Sequence, residues 1–142
     1  MTVTPHAAGT TVDGTPTRTI ANKVGIAMSV LIGAFLAFDA VGKLMLPDAV
    51  REGTVALGFP VHLAPVMGIV LAVCVVVYAV PRTAVLGALG LTAYLGGAVT
   101  ANMRIEAPLL THTLFAVFFG VLMWIGLVLR SPELLKVAGL TR

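Results

Sequence analysis

Residues 63–103, LAPVMGIVLAVCVVVYAVPRTAVLGALGLTAYLGGAVTANM, hold the clearest structural signal in this sequence. They contain one charged residue, Arg82, which follows Pro81 between two apolar segments. Each segment has about the 20 residues that an α-helix needs to cross a hydrocarbon layer of about 30 Å. Proline cannot continue the hydrogen-bond ladder of a preceding helix. The stretch therefore predicts two membrane-spanning helices joined by a tight turn.

Apolar segments of similar length lie on both sides of this hairpin, so four spans are expected. The N-terminal segment differs from these apolar segments: residues 1–23 are rich in Thr, Gly and Pro and show no hydrophobic period. They are typical of a disordered tail. The sequence therefore predicts an all-α integral membrane protein, an antiparallel four-helix bundle with a cytoplasmic tail at each end. The predicted spans are residues 24–46, 63–80, 83–103 and 109–129, and the tails are 1–23 and 131–142.

The composition excludes several other classes of protein. Hydrophobic residues make up 58% of the 142 residues and charged residues 11%, against about 45–50% and about 25% in a soluble domain. A soluble globular protein is therefore excluded. The basic residues are scattered singly, which argues against a nucleic-acid partner. Cys74 is the one cysteine, so the chain cannot form an internal disulfide or a dithiol redox centre.

The loops and their charges predict an orientation. Lys and Arg residues favour the cytoplasmic side of a membrane, and here they place both termini in the cytoplasm, with Tyr78 and Trp124 as interfacial aromatics toward that side. In the longer loop, residues 47–62, Asp48 is placed as an N-cap and Gly58 as a helix stop, which predicts a short interfacial helix. The cytoplasmic flanks carry Arg18, Lys23, Arg82, Arg130, Lys136 and Arg142, against Arg51 and Arg104, with Lys43 nearby, on the other side.

Small residues predict where helices approach each other, because apolar burial gives no drive between helices that already lie in lipid. They recur three or four apart along the third span, which is therefore expected to be the packing centre. The predicted packing residues are Gly87, Gly90, Gly96, Gly97 and Gly120.

Polar residues cluster at one depth, toward the outer ends of the spans, and predict an outward-facing ligand pocket. Asp39 and Lys43 are four apart and can form an ion pair on one helix face. Charged residues inside spans are usually paired, cavity-facing and functional. The alternative is that the Lys43 side chain extends to the lipid headgroups, with Asp39 as its ion-pair partner. The candidate ligand-binding residues are Asp39, Lys43, Tyr94, Thr100, Arg104 and His112; no catalytic or metal-binding residue is predicted.

Two interpretations stay open for His112 and for Arg104. His112 can hydrogen-bond a quinone oxygen or take its proton, since histidine titrates near neutral pH, or it is an interfacial side chain bonded to a loop carbonyl. Arg104 and Glu106 can hold an anionic group or pair with each other in water. Tyr94 lies near mid-span, and its buried hydroxyl needs a hydrogen-bond partner.

Four segments carry a resemblance to a known family: residues 81–87 (PRTAVLG), 92–98 (TAYLGGA), 111–115 (THTLF) and 124–130 (WIGLVLR). In order and spacing, about residues 28–132 resemble the DoxX-like family of small four-span bacterial membrane proteins. The resemblance implies a four-helix bundle in the bacterial cytoplasmic membrane. It does not imply one activity, because the family takes its name from a membrane subunit of an archaeal thiosulfate:quinone oxidoreductase, whereas wider relatives assist receptor assembly. The positions that the resemblance implies are shared include Lys43, Tyr94, Gly96, Gly97, Arg104 and His112.

Three functions follow as hypotheses, none of which makes the chain an enzyme on its own. The first is a quinone- or lipid-binding accessory subunit of a membrane redox complex, with the redox centres on a partner protein. The second is an assembly or chaperone module that packs against another membrane protein. The third is a small-solute transporter, which would require a homo-oligomer because four spans leave little room for alternating access.

Overall fold

The computed structural model describes residues 15–108 and 114–134, which are helical with short connections and contain no strand. A 3-10 turn, Val61–Leu63, precedes the third helix. The prediction of an all-helical chain is confirmed for these residues. The helices are α1, Thr15–Met45; α2, Asp48–Ala56; α3, Ala64–Ala79; α4, Ala84–Arg104; and α5, Leu114–Arg130.

Three helical stretches are long and apolar enough to cross a membrane: Ile20–Met45, Val61–Ala79 and Ala84–Arg104. The helix Leu114–Arg130 is also apolar but has 17 residues. The first five residues of the predicted fourth span, 109–113, lie outside the described residues. Four complete spans therefore stay a prediction, whereas three described helices have the length and composition of membrane spans.

The first helix begins at Thr15, inside the segment predicted to be a disordered tail. Pro16 falls in its first turn, where proline is tolerated because the N–H it lacks would have no intrahelical partner. Residues 15–23, which were predicted to belong to the disordered tail, are therefore helical. Residues 1–14 and the predicted C-terminal tail from residue 135 onward lie outside the described residues.

Each of the four longer helices packs against two others. The helix α1 contacts α3 and α5, and α4 contacts the same two helices from the other side. The partners run antiparallel, because Gly25 near the start of α1 lies against Gly126 near the end of α5. The Trp124 Nε1 atom of α5 lies 2.9 Å from the Thr92 Oγ1 atom of α4. Consecutive long helices thus contact each other, and α1 also contacts α5.

Apolar side chains occupy both the inside and the outside of this arrangement. Leu71, Leu91 and Met123 are fully buried, whereas Leu31 is 73% exposed and Phe38 is 78% exposed. Exposed apolar area on this scale is unfavourable in water, but lipid is as apolar as the side chains. The distribution is that of helices whose outer faces contact a hydrocarbon layer.

The predicted short helix in the longer loop is present as α2, with one correction at its start. Asp48 is not the N-cap: Pro47 occupies that position, and no side chain caps the helix. Asp48 instead lies in the first turn, where a carboxylate interacts favourably with the helix dipole. The predicted stop at Gly58 is confirmed, with a φ of 76°. The N–H groups of Gly58 and Phe59 donate to Val55 and Thr54 carbonyls, which completes a Schellman motif.

Candidate functional site

A cavity of about 580 Å³ opens between α1, α4 and α5, at the end where α1 and α4 finish and α3 begins. We call this the Lys43 end and the cavity the Lys43 cavity; the opposite end, where α3 and α5 finish, is the Arg130 end. Of the predicted ligand-binding residues, the structure brings Asp39, Lys43 and Tyr94 together in its wall. The remaining lining is Phe35, Leu36, Leu57, Phe59, Met67, Ala93, Leu95, Gly97, Ala98, Ala101, Asn102, Phe115, Ala116 and Phe119.

The predicted ion pair between Asp39 and Lys43 forms at the wall of this cavity. The Lys43 Nζ atom lies 2.6 Å from each carboxylate oxygen of Asp39. The Lys43 side chain is 22% exposed and that of Asp39 is 42% exposed. The carboxylate thus holds the ammonium group in place. An ammonium group has three N–H donors, so the two bonds to Asp39 leave one donor for a ligand.

The face of α4 that lines the cavity carries two polar residues with small residues between them. Tyr94 and Asn102 carry the polar groups, and Gly97, Ala98 and Ala101 lie between them. The small side chains leave the space that forms the cavity. Among the described residues, the Tyr94 hydroxyl has no hydrogen-bond partner, although a buried tyrosine hydroxyl usually finds one. Within the described part of the chain, Tyr94 is therefore a donor without a partner beside an apolar space.

Aromatic rings form the α1 and α5 side of the cavity. The ring centroid of Phe119 lies 4.7 Å from that of Phe35 and 4.5 Å from that of Phe115. Phe35 and Phe115 themselves meet edge to face at 5.7 Å. Rings at these separations attract each other, and a flat aromatic ligand could extend the same cluster.

Arg104 does not line the cavity but contacts two residues that do. Its guanidinium donates to the Leu57 carbonyl at 2.8 Å and stands 5.8 Å from the centre of the Phe59 ring. Among the described residues, the Asp39–Lys43 pair is the only ion pair, so Arg104 and Glu106 do not form one. Glu106 instead adopts a φ of 52° just after the end of α4.

Two other predicted site residues are not part of the described cavity wall. Thr100 is exposed, and its hydroxyl donates to the Gly96 carbonyl at 2.9 Å within α4. His112 lies outside the described residues.

The predicted packing glycines divide into two groups along α4. A Cβ atom at Gly87 would overlap the backbone of Tyr78, and one at Gly90 would lie 2.9 Å from the Cys74 Sγ atom. A Cβ at Gly96 or Gly97 would meet no described atom within 4 Å. On α5, a Cβ at Gly120 would make an ordinary 3.7 Å contact with Leu95. Within the described ranges, close helix approach therefore uses the glycines of the first half of α4 and not those of the second.

Gly96 and Gly120 instead line a second space, a groove of about 440 Å³ between α4 and α5. We call it the Gly96 groove. Thr92 and Trp124 also line it, and they hydrogen-bond each other. Its remaining lining is apolar: Leu95, Val99, Ala116, Val117, Val121 and Ile125.

A polar cluster that the sequence did not predict lies at the Arg130 end. Tyr78, predicted to be an interfacial aromatic, is 2% exposed. Its hydroxyl bonds the Ser29 Oγ atom at 3.0 Å and the Met123 carbonyl at 3.3 Å. The Arg130 guanidinium lies 5.1 Å from the centre of the Tyr78 ring and donates to the Tyr78 carbonyl at 3.1 Å. This cluster ties α1, α3 and α5 together.

One sequence signal could have indicated this cluster. Gly25 and Ser29 are four residues apart, the spacing of small residues at close helix crossings. The structure places a Cβ at Gly25 2.8 Å from the Gly126 carbonyl oxygen and one at Gly126 3.1 Å from the Ser29 Oγ atom.

The comparisons with known proteins identify one relationship. The family model described as the DoxX-like family matches residues 27–126. That range contains all the residues that line the Lys43 cavity and the Gly96 groove. No curated protein and no solved structure matches the chain.

Proposed function

This chain belongs to the DoxX-like family, and from that premise we propose that it is an antiparallel four-helix bundle in the bacterial cytoplasmic membrane, with both termini in the cytoplasm. The antiparallel contacts of α1, α3, α4 and α5 support the bundle. The excess of Lys and Arg at the Arg130 end supports the orientation. The Lys43 cavity then faces the outer side of the membrane.

The proposed activity is the binding of a quinone in the Lys43 cavity. One observation carries this proposal: an apolar cavity of about 580 Å³ contains a held ammonium group and a tyrosine hydroxyl with no partner among the described residues. Small-molecule sites are typically about 300–1,000 Å³, mostly apolar, with a few placed polar groups. A quinone matches this pattern, because its ring is flat and apolar while its two carbonyl oxygens accept hydrogen bonds.

Each polar residue has a distinct part in this binding. The Tyr94 hydroxyl and the third N–H of Lys43 donate to the quinone oxygens, and Asp39 fixes Lys43 through the two 2.6 Å contacts. The Phe35, Phe115 and Phe119 rings stack around the quinone ring. The isoprenoid tail extends into the surrounding lipid. His112 stays a candidate for a further hydrogen bond.

We place the chain as an accessory subunit rather than as an enzyme on its own. Its single cysteine cannot form a dithiol centre within the chain. Electrons for the bound quinone would therefore come from a redox centre on a partner protein.

The test is the quinone content of the protein purified gently from its own membranes. Tyr94→Phe and Lys43→Met each remove one donor without adding volume, and we expect quinone affinity to fall about tenfold for each. Thr100→Val is the matched control, because Thr100 lies on the same helix but not in the described cavity wall, and the bond its hydroxyl makes among the described residues is to its own helix. Bound quinone is quantified by extraction and chromatography and then titrated back into lipid nanodiscs. Equal quinone content in all four proteins would contradict the proposal.

The Gly96 groove favours a second candidate, an assembly module for another membrane protein. Small residues let a foreign helix approach closely, and Gly96 has open space around it. In that case Gly96→Leu should release a co-purifying membrane protein, whereas Tyr94→Phe should not. Retention of every stoichiometric partner by Gly96→Leu would contradict this candidate.

A further inference from the structure

A turn of chain between α2 and the 3-10 turn forms part of the wall of the Lys43 cavity. Leu57 and Phe59 both line the cavity, and Gly58 lies between them at the end of α2. We call Leu57, Gly58 and Phe59 the 57–59 turn. Among the described residues, α2 makes only small contacts, with the 3-10 turn that follows it and with α3. The turn therefore depends on other contacts to stay in place over the cavity.

Arg104, at the end of α4, contacts all three residues of the 57–59 turn. It donates to the Leu57 carbonyl at 2.8 Å and lies 5.8 Å from the Phe59 ring centre. It also fills the space beside Gly58, where a Cβ atom would overlap the guanidinium. The Leu57 carbonyl is at the C-terminus of α2, the end of a helix that attracts a cation. One charged side chain thus links the loop helix to the membrane-spanning α4.

We infer that Arg104 is a positioning residue that holds the 57–59 turn in place as part of the cavity wall and so limits access from water to the Lys43 cavity. This inference rests on the proposed function insofar as the cavity is a binding site. Arg104 itself does not touch the bound quinone. Its effect is on how often the wall opens, and hence on the rate at which water-borne molecules reach the cavity.

The experiment measures access to the cavity without any quinone. Ala101, which lines the cavity, is replaced by cysteine in a chain in which Cys74→Ala removes the native thiol. A charged, membrane-impermeant methanethiosulfonate reagent then labels the protein in lipid nanodiscs, where both membrane faces are open to water. Adding Arg104→Met should raise the labelling rate about tenfold, because a charge-assisted hydrogen bond to the turn is lost. Arg104→Lys should restore part of the protection, since an ammonium group can still donate to the Leu57 carbonyl.

A second variant disturbs the same contact from the other side. Gly58→Ala puts a Cβ where the guanidinium lies and adds strain at a positive φ. It should therefore raise labelling as Arg104→Met does. Gly53→Ala is the matched control, since Gly53 lies within α2 and a Cβ there meets no described atom within 4 Å.

Native Cys74 distinguishes a wall opening from a loosening of the whole protein. In the chain that keeps Cys74 and has no other thiol, Arg104→Met should leave the labelling rate unchanged. Unchanged labelling at position 101, or an equal rise at Cys74, would overturn the inference. Neither result bears on quinone binding, which the purified protein's quinone content tests separately.

Discussion

The two ends of the helices differ in the hydrogen bonding of their tyrosine hydroxyls. At the Arg130 end, Tyr78 is buried, and its hydroxyl bonds Ser29 and the Met123 carbonyl. At the Lys43 end, the Tyr94 hydroxyl lies beside a cavity and has no partner among the described residues. A satisfied buried hydroxyl stabilises a fold, whereas an unsatisfied one is available to a ligand. The Arg130 end holds the helices together, and the Lys43 end is where we place the function.

The glycines of α4 also differ between the two ends of the helix. Gly87 lies against the backbone of Tyr78, but Gly97 borders the Lys43 cavity and Gly96 the Gly96 groove. Glycine thus serves helix packing at one end of α4 and leaves open space at the other. The same residue type should therefore respond to substitution in opposite ways.

The largest expected effect is at Gly87. Gly87→Ala places a Cβ against the backbone of Tyr78, which cannot move aside as a flexible side chain can. We expect a loss of about 3 kcal/mol in the free energy of unfolding, the upper part of the range for overpacked sites. Equilibrium unfolding in mixed detergent micelles measures it, with Gly96→Ala as the control that should change little. Equal stabilities for the two variants would remove the contrast between the ends.

The tyrosines should differ by a smaller amount. Tyr78→Phe leaves the Ser29 hydroxyl and the Met123 carbonyl without this partner and should cost about 1 kcal/mol, within the range for hydrogen bonds between membrane helices. Tyr94→Phe should leave the stability unchanged, because among the described residues no bond is lost. Thermal unfolding of both variants in the same detergent makes the comparison. A greater loss for Tyr94→Phe would reverse our assignment of the two ends.

The smallest effect concerns the backbone at the Lys43 end. Glu106 has a φ of 52°, and the N–H of the next residue, Ala107, donates to the Asn102 carbonyl. This is the position of a Schellman motif that glycine usually occupies. Glu106→Gly should therefore raise the free energy of unfolding by about 0.5–1 kcal/mol. A loss of stability would show that the Glu106 side chain has a role beyond its backbone conformation.

The features that the sequence predicted correctly depend on local spacing. Pro81 and Arg82 indicated the hairpin, Gly58 the end of α2, and the four-residue spacing of Asp39 and Lys43 their ion pair. Each of these depends on residues close together in the chain.

The features that the sequence did not predict depend on contacts between distant residues. Tyr78 meets Ser29 across 49 positions, so its burial has no local signature. The glycines of α4 fit both a helix crossing and a cavity wall, because a missing side chain permits either. The contact of Arg104 with Leu57 spans 47 positions. From the sequence, Arg104 could therefore not be distinguished from a cation exposed at the surface.

We place quinone binding in the Lys43 cavity and not in the Gly96 groove. Gly97→Leu and Gly96→Leu test it directly, because the two glycines are adjacent, both have open space, and each borders a different one of these spaces. The measurement is native mass spectrometry of each variant released from lipid nanodiscs loaded with the same quinone. We predict that Gly97→Leu loses the bound quinone while Gly96→Leu keeps it. Quinone retained by Gly97→Leu and lost by Gly96→Leu would contradict the claim.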